Sequence, residues 1–374
     1  MDKSDNVQKK VKMDDRDYLA IFGKFKDGGD FTEIGKILGR GAFGQVREIK
    51  YKKKVMAGKL TLRDEKKDGI EEEKIAVELN GENIIKINKI YTKKVENKTY
   101  DLVIMEKAIL RDLGKLNEFY HKNNLLKLIY FPFIEKTSEF LLKYYIKQII
   151  NALELLERNY FVHFDLKPDN ILLTNNLKIK ISDFSLLRKV DGGIKKVPGG
   201  TPGYLTPEYY KSNFNNISVE DAQKQDYFAL GAIIFNLIFG EQMIKFRTYE
   251  DKILNADKIV EILQTKISEI KSRKTIDKEL IKFLCGLISY KPMNRLAFEN
   301  IYRNKWVNES IKEIEKIFFI NENDEEKLIL ELHKGDYLVK KKNKYYETVD
   351  LEEIQKNIIK ESPKVTRYRF KKKQ

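Results

Sequence analysis

The chain has 374 residues, 42% of them hydrophobic, and its 72 Lys and Arg outnumber its 57 Asp and Glu, leaving a formal net charge of +15. That length exceeds what one hydrophobic core usually serves, so we expect two packed lobes with appendages. A positive field attracts polyanions, but the lysines are scattered and no nucleic-acid module is recognisable. We therefore do not expect a nucleic-acid partner.

A single cysteine, Cys285, excludes an intrachain disulfide. The first residues, MDKSDNVQKK, lack the apolar stretch of a secretory signal. The longest apolar run, Phe228 to Gly240, is too short to cross a bilayer and predicts a buried core helix. These features favour an intracellular protein, cytoplasmic or nuclear, without a membrane span.

Residues 1–30 are charged and lack apolar periodicity, and we expect them to form a disordered lead-in. From residue 31 to about 107, short β-branched runs between turn signals predict a small antiparallel sheet. The predicted strands are FTEIGKIL, GQVREI, KKVMAGKL, IIKINKIY and TYDLVIME, and EEEKIAVELN predicts one helix among them.

From about residue 108 to 309 the apolar period becomes helical, most clearly in SEFLLKYYIKQIINALELLERN, so this part should be mostly α-helical. Residues 310–374 form a C-terminal extension of unknown role. In it, DYLVKKKNKYYETV predicts two strands around a turn, LEEIQKNIIKE an amphipathic helix and KVTRYRFKKK a basic aromatic end. The extension could dock a partner or the catalytic lobes, and its last ten residues could equally be a solvated end.

Closely spaced glycines lie between the first two predicted strands, in GRGAFGQV from Gly39 to Val46. Because glycine has no side chain, such a hairpin can approach phosphate oxygens and present its N–H groups to them. An ordinary flexible turn has the same composition, so the motif is weak when taken alone.

Lys59 lies on the next predicted strand, in VMAGK, where a lysine could hold a polyphosphate if a carboxylate fixes its direction. Glu71, Glu72 and Glu73 on the predicted helix are the candidates for that carboxylate. Counting back from Asn83 favours Glu72, with Glu73 as the alternative if the loop differs by one residue. Each of these charges taken singly could be solvated surface.

The polar string HFDLKPDN begins at His163, and DFS follows one predicted strand later. Phosphoryl transfer needs chiefly positioning and charge neutralisation. Asp165 could accept the proton of a substrate hydroxyl, and Lys167 could steady the transferred phosphate. Asn170 and Asp183 offer the hard oxygen ligands that Mg²⁺ prefers. A plain polar turn is the alternative for this string.

Together these motifs resemble those of eukaryotic protein kinases. GRGAFGQV, MAGK, HFDLKPDN, DFS and TPE stand in the family's order, and the resemblance covers about Phe31 to Trp306. It implies an α+β, two-lobed protein kinase fold, with a small antiparallel β-sheet lobe at about 31–107 and a mostly helical lobe at about 108–309. It also implies ATP and Mg²⁺ as cofactors and proteins as substrates.

The resemblance assigns roles to individual residues. The catalytic residues would be Asp165, Lys167, Lys59 and Glu72, with Lys59 pairing with Glu72 and contacting the α- and β-phosphates. Asn170 and Asp183 would hold the metal. The nucleotide would further contact Leu38, Gly39, Arg40, Gly41, Ala42, Phe43, Gly44, Val46, Ala57, Met105, Glu106, Ala108, Asp112 and Leu172.

Within that set, Met105 would be the gatekeeper, and the backbone of Glu106 and Ala108 would meet the adenine. The residues that sandwich the base would be Val46, Ala57 and Leu172, and Asp112 would reach the ribose.

The second lobe carries further family markers. Glu208 of GTPGYLTPE should pair with Arg295 of KPMNR in a buried bridge, and Asp226 resembles the residue that anchors the catalytic loop. Lys167 and Thr201 are typical of the Ser/Thr class, which implies Ser and Thr acceptors on protein substrates.

Two positions depart from the family. Phe164 stands where Arg commonly pairs with a phosphate on the activation loop, and the loop from Leu186 to Gly200 has no Ser, Thr or Tyr. Both halves of that switch are missing together, which favours a different mode of control over a dead enzyme. Ser185 replaces the family's Gly and should make flipping of the Asp-Phe segment harder, so we expect a loop held mostly in the active arrangement.

These residues predict a Ser/Thr protein kinase that transfers the γ-phosphoryl group of ATP without phosphorylation of its own activation loop. The alternative is a pseudokinase scaffold that binds nucleotide and partner proteins without catalysis. The presence of Lys59, Asp165, Asn170 and Asp183 favours the active enzyme.

Overall fold

The computed structural model describes residues 14–26, 31–41, 44–63, 77–108, 112–115, 117, 135–174, 178–211, 215–245, 256–273, 276–308, 337–340 and 346–349. The chain divides into two compact units. The first comprises Met1–Glu78 and Lys86–Lys107, and the second comprises Leu79–Ile85 and Ala108–Gln374.

An antiparallel five-stranded sheet forms the centre of the first unit. Its strands are β1 (Phe31–Gly41), β2 (Gly44–Tyr51), β3 (Lys54–Leu62), β4 (Ile87–Val95) and β5 (Lys98–Met105), in the spatial order β1-β2-β3-β5-β4. Side chains alternate between the two faces, as in β2, where every second residue from Gln45 to Tyr51 is buried. The antiparallel sheet predicted from the sequence is confirmed.

A helix that the sequence analysis did not expect covers one face of this sheet. Helix α1 (Asp15–Lys24) begins with a capping box, in which the Asp14 and Asp17 carboxylates each accept the backbone N–H of the other residue. Ile21 and Phe22 are buried in one cluster with Phe31, Ile49, Tyr51, Met56, Leu60, Tyr100, Leu102 and Ile104 of the sheet. The expected disorder is therefore wrong for this segment, because the helix is stabilised by packing on the sheet.

Other predicted segments lie outside the described residues. They are residues 1–13 and 27–30 of the lead-in, residues 71–76 of the predicted helix EEEKIAVELN, and the predicted helix and basic end of the C-terminal extension.

The second unit is mostly helical, as predicted. Its helices are α2 (Glu135–Arg158), α3 (Val219–Phe239), α4 (Ala256–Ser272), α5 (Lys278–Leu287), α6 (Phe298–Tyr302) and α7 (Lys305–Asn308). Helix α2 covers the predicted helical stretch at 138–159 except for its last residue, and its apolar face buries Ile146, Ile149, Ile150 and Leu153.

Helix α3 contains the long apolar run and is the buried core helix that the sequence predicts. Every residue from Lys224 to Phe235 is buried. The helix begins after Ser218, whose side chain accepts the Asp221 N–H, and ends at Gly240 with a φ of 70°. A helix that is buried on all sides holds its few polar side chains rigidly, and Asp226 is one of them.

Short strand pairs frame the loops of the second unit. Strand β6 (Phe161–Val162) pairs with β9 (Arg188–Lys189), and β7 (Ile171–Leu173) pairs with β8 (Ile179–Ile181). In the C-terminal extension, β10 (Tyr337–Lys340) and β11 (Tyr346–Val349) form the antiparallel pair that the sequence predicts.

Residues 79–85 were expected in the first lobe, but their contacts place them in the second unit. The Asn83 side-chain amide donates to Gln148 Oε1 on α2 (3.0 Å) and to the Ile179 carbonyl (3.1 Å). The Ile85 N–H donates to the Ile181 carbonyl at 2.9 Å. These long-range bonds tie the segment to α2 and β8.

Candidate active site

A buried carboxylate on α3 anchors the loop that follows β6. Asp226 is 3% exposed, and its two oxygens accept the backbone N–H groups of His163 (2.7 Å) and Phe164 (3.1 Å). Burial raises the pKa of Asp226, and the two N–H bonds oppose that rise. Phe164 has a φ of 62°, which is unusual for a bulky residue, so the anchor holds the loop in a strained conformation.

His163 connects this loop to the segment around Asp183. Its Nδ1 accepts the Asp165 backbone N–H (3.2 Å), while its Nε2 lies 3.0 Å from the Ser182 carbonyl oxygen. Since a carbonyl can only accept, Nε2 must carry the proton and the neutral ring satisfies both neighbours. The ring also packs on Phe184, with 5.4 Å between the centroids.

The carboxylate of Asp165 is held by three side chains. Lys167 Nζ lies 2.7 Å from Asp165 Oδ2 and 2.6 Å from Thr201 Oγ1, and Thr201 Oγ1 donates to Asp165 Oδ1 at 2.6 Å. Asn170 Nδ2 donates to the Asp165 carbonyl (2.8 Å) and to Oδ2 (3.1 Å). The predicted catalytic residues Asp165 and Lys167 and the predicted metal ligand Asn170 are thus brought together.

A glycine allows the segment that carries Thr201 to approach this loop. Gly200 precedes Thr201 and has a φ of 146°, and a Cβ on it would lie 2.6 Å from both the Phe164 carbonyl oxygen and a Leu205 methyl carbon. A larger residue would therefore push Thr201 away from Asp165, because the obstructing carbonyl belongs to the anchored loop.

Asn170 and Asp183 have the donor chemistry for a magnesium ion. Both bonds of Asn170 to Asp165 use its NH₂ group, so they do not involve its amide oxygen. Ser182, next to Asp183, donates its backbone N–H and its hydroxyl to the Asn170 carbonyl at 2.9 and 3.0 Å. An amide and a carboxylate oxygen fit Mg²⁺, which commonly takes one or two carboxylates together with water and substrate phosphates.

The backbone of Asp183 is also strained, with a φ of 64°. Ser185, the residue that replaces the family's Gly, donates its hydroxyl to Asp183 Oδ1 at 3.0 Å. That bond orients the carboxylate through its Oδ1 atom. The departure at Ser185 therefore adds a contact to the predicted metal ligand.

Phe164 packs into an apolar cluster with the activation segment, residues 186–200. The buried members of the cluster are Val162, Phe164, Val190, Val197, Ile217 and Ala222, with Leu186, Ile194, Tyr209 and Val219 partly buried around them. Backbone bonds join Ile194 and Ile217 in both directions, at 3.0 and 2.7 Å. The side chain at the position of the family's arginine thus holds the activation segment by apolar contact.

The predicted bridge between Glu208 and Arg295 is present and buried. Arg295 donates from one guanidinium nitrogen to both Glu208 oxygens at 2.9 and 3.3 Å, and the two side chains are 2% and 7% exposed for Arg295 and Glu208. Burial lowers the pKa of Arg295, and the Glu208 carboxylate opposes that change. Arg295 also donates to the Ser289 carbonyl, which satisfies more of its N–H groups.

In the first unit, the strand residues predicted to contact nucleotide share one face of the sheet. Val46 pairs with Lys59, and Ala57 pairs with Met105. Directly paired residues of antiparallel strands point to the same side, and Ala57 and Lys59 are two residues apart on β3. Helix α1 packs on the opposite face, where Met56 and Leu60 belong to its cluster.

The hairpin of β1 and β2 brings together Leu38, Gly39, Arg40, Gly41 and Gly44, whereas Ala42 and Phe43 lie outside the described residues. Gly44 is required by packing, since a Cβ there would lie 2.0 Å from the Leu60 carbonyl oxygen. Glu72 also lies outside the described residues, so its pairing with Lys59 stays a prediction.

The other predicted nucleotide contacts are divided between the two units. Met105 ends β5, and Glu106 exchanges bonds with Lys86, donating its N–H to the Lys86 carbonyl (2.9 Å). In the second unit, Asp112 forms an isolated bridge with Leu172, and its carboxylate binds Lys115 Nζ at 2.6 Å. Ala108 is the first residue of that unit's larger segment.

Two features of the structure were missed by sequence reasoning. One is α1, for which the spacing of Asp14 and Asp17 before apolar residues was an available signal. The other is the set of partners around Phe164, for which no local signal exists, because Val190, Val197 and Ile217 are distant in the chain.

An antiparallel five-stranded sheet in the first unit and a mostly helical second unit give the α+β architecture that the motifs predicted. A family model for the protein kinase domain matches residues 32–307. The chain therefore belongs to the protein kinase family.

Several curated kinases are similar to part of the chain. Rhodopsin kinase GRK1 of Rattus norvegicus is 35% identical over 160 residues, which is 42% of this chain and 26% of that protein. The serine/threonine-protein kinase MRCK alpha of Homo sapiens is 29% identical over 223 residues, 56% of this chain and 12% of that protein. NUAK family SNF1-like kinase 1 of Mus musculus is 28% identical over 286 residues, 74% of this chain and 38% of that protein. The chain thus spans well under half the length of each relative.

In the parts of the chain that the structure describes, no helix has both the length and the apolar character needed to cross a membrane.

Proposed function

We propose that this protein is an active serine/threonine kinase, which transfers the γ-phosphoryl group of ATP to Ser and Thr hydroxyls of proteins in the presence of Mg²⁺. The observation that carries this proposal is the set of short contacts among Asp165, Lys167 and Thr201. A scaffold that only binds partners would have no need to hold a carboxylate, an ammonium and a hydroxyl within hydrogen-bonding distance.

Each residue of this set has a distinct task. Asp165 accepts the proton of the substrate hydroxyl, and the bonds from Asn170 and Thr201 hold its carboxylate in one orientation. Lys167, which is 20% exposed at its side chain, supplies positive charge beside the transferred phosphate. Asn170 and Asp183 would hold Mg²⁺, which neutralises phosphate charge when bound.

The residues proposed to bind the nucleotide are taken one unit at a time. On the first unit, Lys59 would contact the α- and β-phosphates, and the face with Val46, Ala57 and Met105 would contact the adenine. On the second unit, Leu172 would contact the base. The acceptor preference for Ser and Thr is supported by Lys167 and by its bond to Thr201.

Activity without phosphorylation of the activation segment is the finer part of the proposal. In many kinases a phosphate on this segment pairs with an arginine at the position of Phe164. Here the segment has no hydroxyl side chain to phosphorylate. The burial of Phe164 with Val190 and Val197 supports an apolar contact in place of that ion pair.

A transfer assay with γ-labelled ATP and a mixture of protein substrates tests the proposal. We expect incorporation by wild type after phosphatase treatment and its loss in Asp165→Asn. The matched control is Asp169→Asn, which makes the same change of charge four residues away, on an exposed side chain of the same loop. That variant should retain activity.

The possible results distinguish an active kinase from a pseudokinase scaffold. Nucleotide binding by wild type without any transfer would favour the pseudokinase scaffold. Equal incorporation by wild type and Asp165→Asn would mean that Asp165 is not the base. Activity that disappears on phosphatase treatment would contradict only the claim about the activation segment.

A further inference from the structure

One carboxylate of α1 spans both strands of the glycine-rich hairpin. Asp15 Oδ2 pairs with Arg40 of β1 at 2.5 Å, and Asp15 Oδ1 accepts from the Gln45 side-chain amide of β2 at 2.8 Å. Arg40 and Gln45 are paired in the sheet register, one position before the Gly41–Gly44 pair that closes the hairpin. Asp15 therefore binds the hairpin next to its turn, on both strands at once.

The contact to β2 continues into the interior. Gln45 is fully buried, and its Oε1 accepts from Arg47 Nε at 2.5 Å. The Arg47 side chain is 7% exposed, lies 3.8 Å from Asp15 Oδ1, and donates to the Gly35 carbonyl at 3.2 Å. If Asp15 were lost, the buried Gln45 amide and the buried Arg47 guanidinium would each lose an acceptor, which destabilises the folded state. A carboxylate at position 15 satisfies both groups.

We call this set of four residues, Asp15, Arg40, Gln45 and Arg47, the Asp15 clasp. Its geometry is fixed at the helix end, because Asp15 lies in the first turn of α1 between Asp14 and Asp17, the two members of the capping box. It is fixed along the helix as well, since Ile21 and Phe22 are buried against the sheet. The clasp is thus a rigid attachment of the hairpin to α1.

We propose that α1 positions the glycine-rich hairpin for the nucleotide phosphates, and that Asp15 is the positioning residue. This inference rests on the proposed nucleotide site. A glycine-rich turn has many backbone conformations of similar energy, and its N–H groups bind phosphates well only when the strands beside the turn are held in place. Asp15 supplies this restraint from outside the glycine-rich motif.

The restraint should act on the phosphates and leave adenine binding unchanged. Among the residues predicted to contact adenine, Ala57 and Met105 belong to β3 and β5, which have no bond to Asp15 among the described residues. Val46 lies on β2 beside Gln45 but points to the opposite face of the sheet. Loss of the clasp should therefore weaken the binding of ADP and have little effect on adenosine. General loosening of the first unit would weaken both ligands.

The experiment measures the dissociation constants of ADP and adenosine for the full chain by calorimetry, with kcat and the KM for ATP as a second readout. Asp15→Asn removes the charge and keeps one oxygen for Gln45. We expect the dissociation constant for ADP and the KM for ATP to rise about fivefold or more, the lower end of typical coupling between sites. The constant for adenosine and the value of kcat should change less than about twofold, which corresponds to under ~0.4 kcal/mol.

Asp17→Asn is the matched control. It removes the same charge from the same helical turn, and the new amide oxygen can still accept the Asp14 N–H that the Asp17 carboxylate accepts now. We expect it to bind both ligands as wild type does. Gln45→Met, which keeps the shape of the side chain and removes its bonds to Asp15 and Arg47, provides a second variant if Asp15→Asn does not fold, and it should show the same selective loss.

The outcomes that overturn the inference are distinct from those that overturn the proposed function. Unchanged binding of ADP in both Asp15→Asn and Gln45→Met, or an equal loss of ADP and adenosine, would show that the clasp has no selective role. Wild-type protein that binds neither ADP nor adenosine would contradict the nucleotide site itself, and the inference would be overturned with it.

Discussion

The catalytic loop and the activation segment meet at Phe164, yet different forces hold them. Asp165 is fixed by charged and polar partners, and Asp226 fixes the backbone beside it. The activation segment is fixed by apolar side chains around Phe164. Charged and polar residues stand at the positions expected of the family, whereas an apolar contact at Phe164 stands where an ion pair with a phosphate is common in kinases.

The largest effect on activity should come from the polar contacts of the catalytic loop. Asp165→Asn removes the proposed base and should lower kcat by about 10²–10⁴, the usual contribution of a positioned acid or base. Because Asn keeps the size of the side chain, binding of ATP should stay within a few-fold of wild type. Steady-state kinetics and calorimetry measure the two quantities, and a loss confined to nucleotide affinity would contradict the assigned role.

Among these variants, the one that breaks the buried ion pair should lose the most stability. Glu208→Gln leaves the Arg295 guanidinium buried without its counter-charge, and the free energy of unfolding should fall by ~3–5 kcal/mol. The matched control is Glu299→Gln, which breaks an exposed pair with Arg303 and should change stability by less than ~0.5 kcal/mol. Urea denaturation compares the two, and equal effects would mean that burial of the Glu208–Arg295 pair has no special weight.

Substitutions of Phe164 test the apolar cluster that contacts the activation segment. Phe164→Ala opens a cavity among Val190, Val197 and Ile217, and should lower the free energy of unfolding by ~3 kcal/mol or more. Amide exchange in residues 186–197 should accelerate by about 100-fold if this loss is local, since 1.4 kcal/mol corresponds to a factor of ten. Phe164→Leu keeps most of the apolar volume and should have a smaller effect.

Kinase activity should follow the exchange of the activation segment in this series. If Phe164→Ala leaves both activity and exchange unchanged, the apolar cluster does not hold the segment. A phosphomimetic residue in the segment should have no effect in wild type, because Phe164 offers it no positive charge.

The smallest effect is expected at Ser185. Ser185→Gly removes the hydroxyl bond to Asp183 Oδ1 and restores a residue that is tolerant of flipping. The loss of one such bond is worth ~1 kcal/mol, so the Mg²⁺ concentration for half-maximal activity should rise about fivefold. Ser185→Thr, which retains the hydroxyl, should stay closer to wild type, and identical magnesium dependence in all three proteins would contradict the contact's role.

Much of the fold and site could be predicted from local sequence. The strands β1 to β5 and helix α2 follow from alternation and helical periodicity, and the order of the motifs leads to the kinase family. The motif around Asp165, Lys167 and Asn170 is recognisable because phosphoryl transfer, the proposed chemistry, restricts the residue types and all three lie within one short loop.

Other features were decided only by contacts between distant parts of the chain. Helix α1 lies in a segment whose charge favours disorder, and it is stabilised because Ile21 and Phe22 find the sheet. Asp15 meets Arg40 and Gln45 only once the hairpin has formed.

The same division applies to the site. The sequence by itself determined which side chains could carry out the chemistry, since those residue types are dictated by charge and by hydrogen bonding. Only the tertiary structure decided that Thr201 reaches Asp165 and that Phe164 is buried against the activation segment. Burial and long-range pairing depend on the whole packed chain, so no local pattern encodes them.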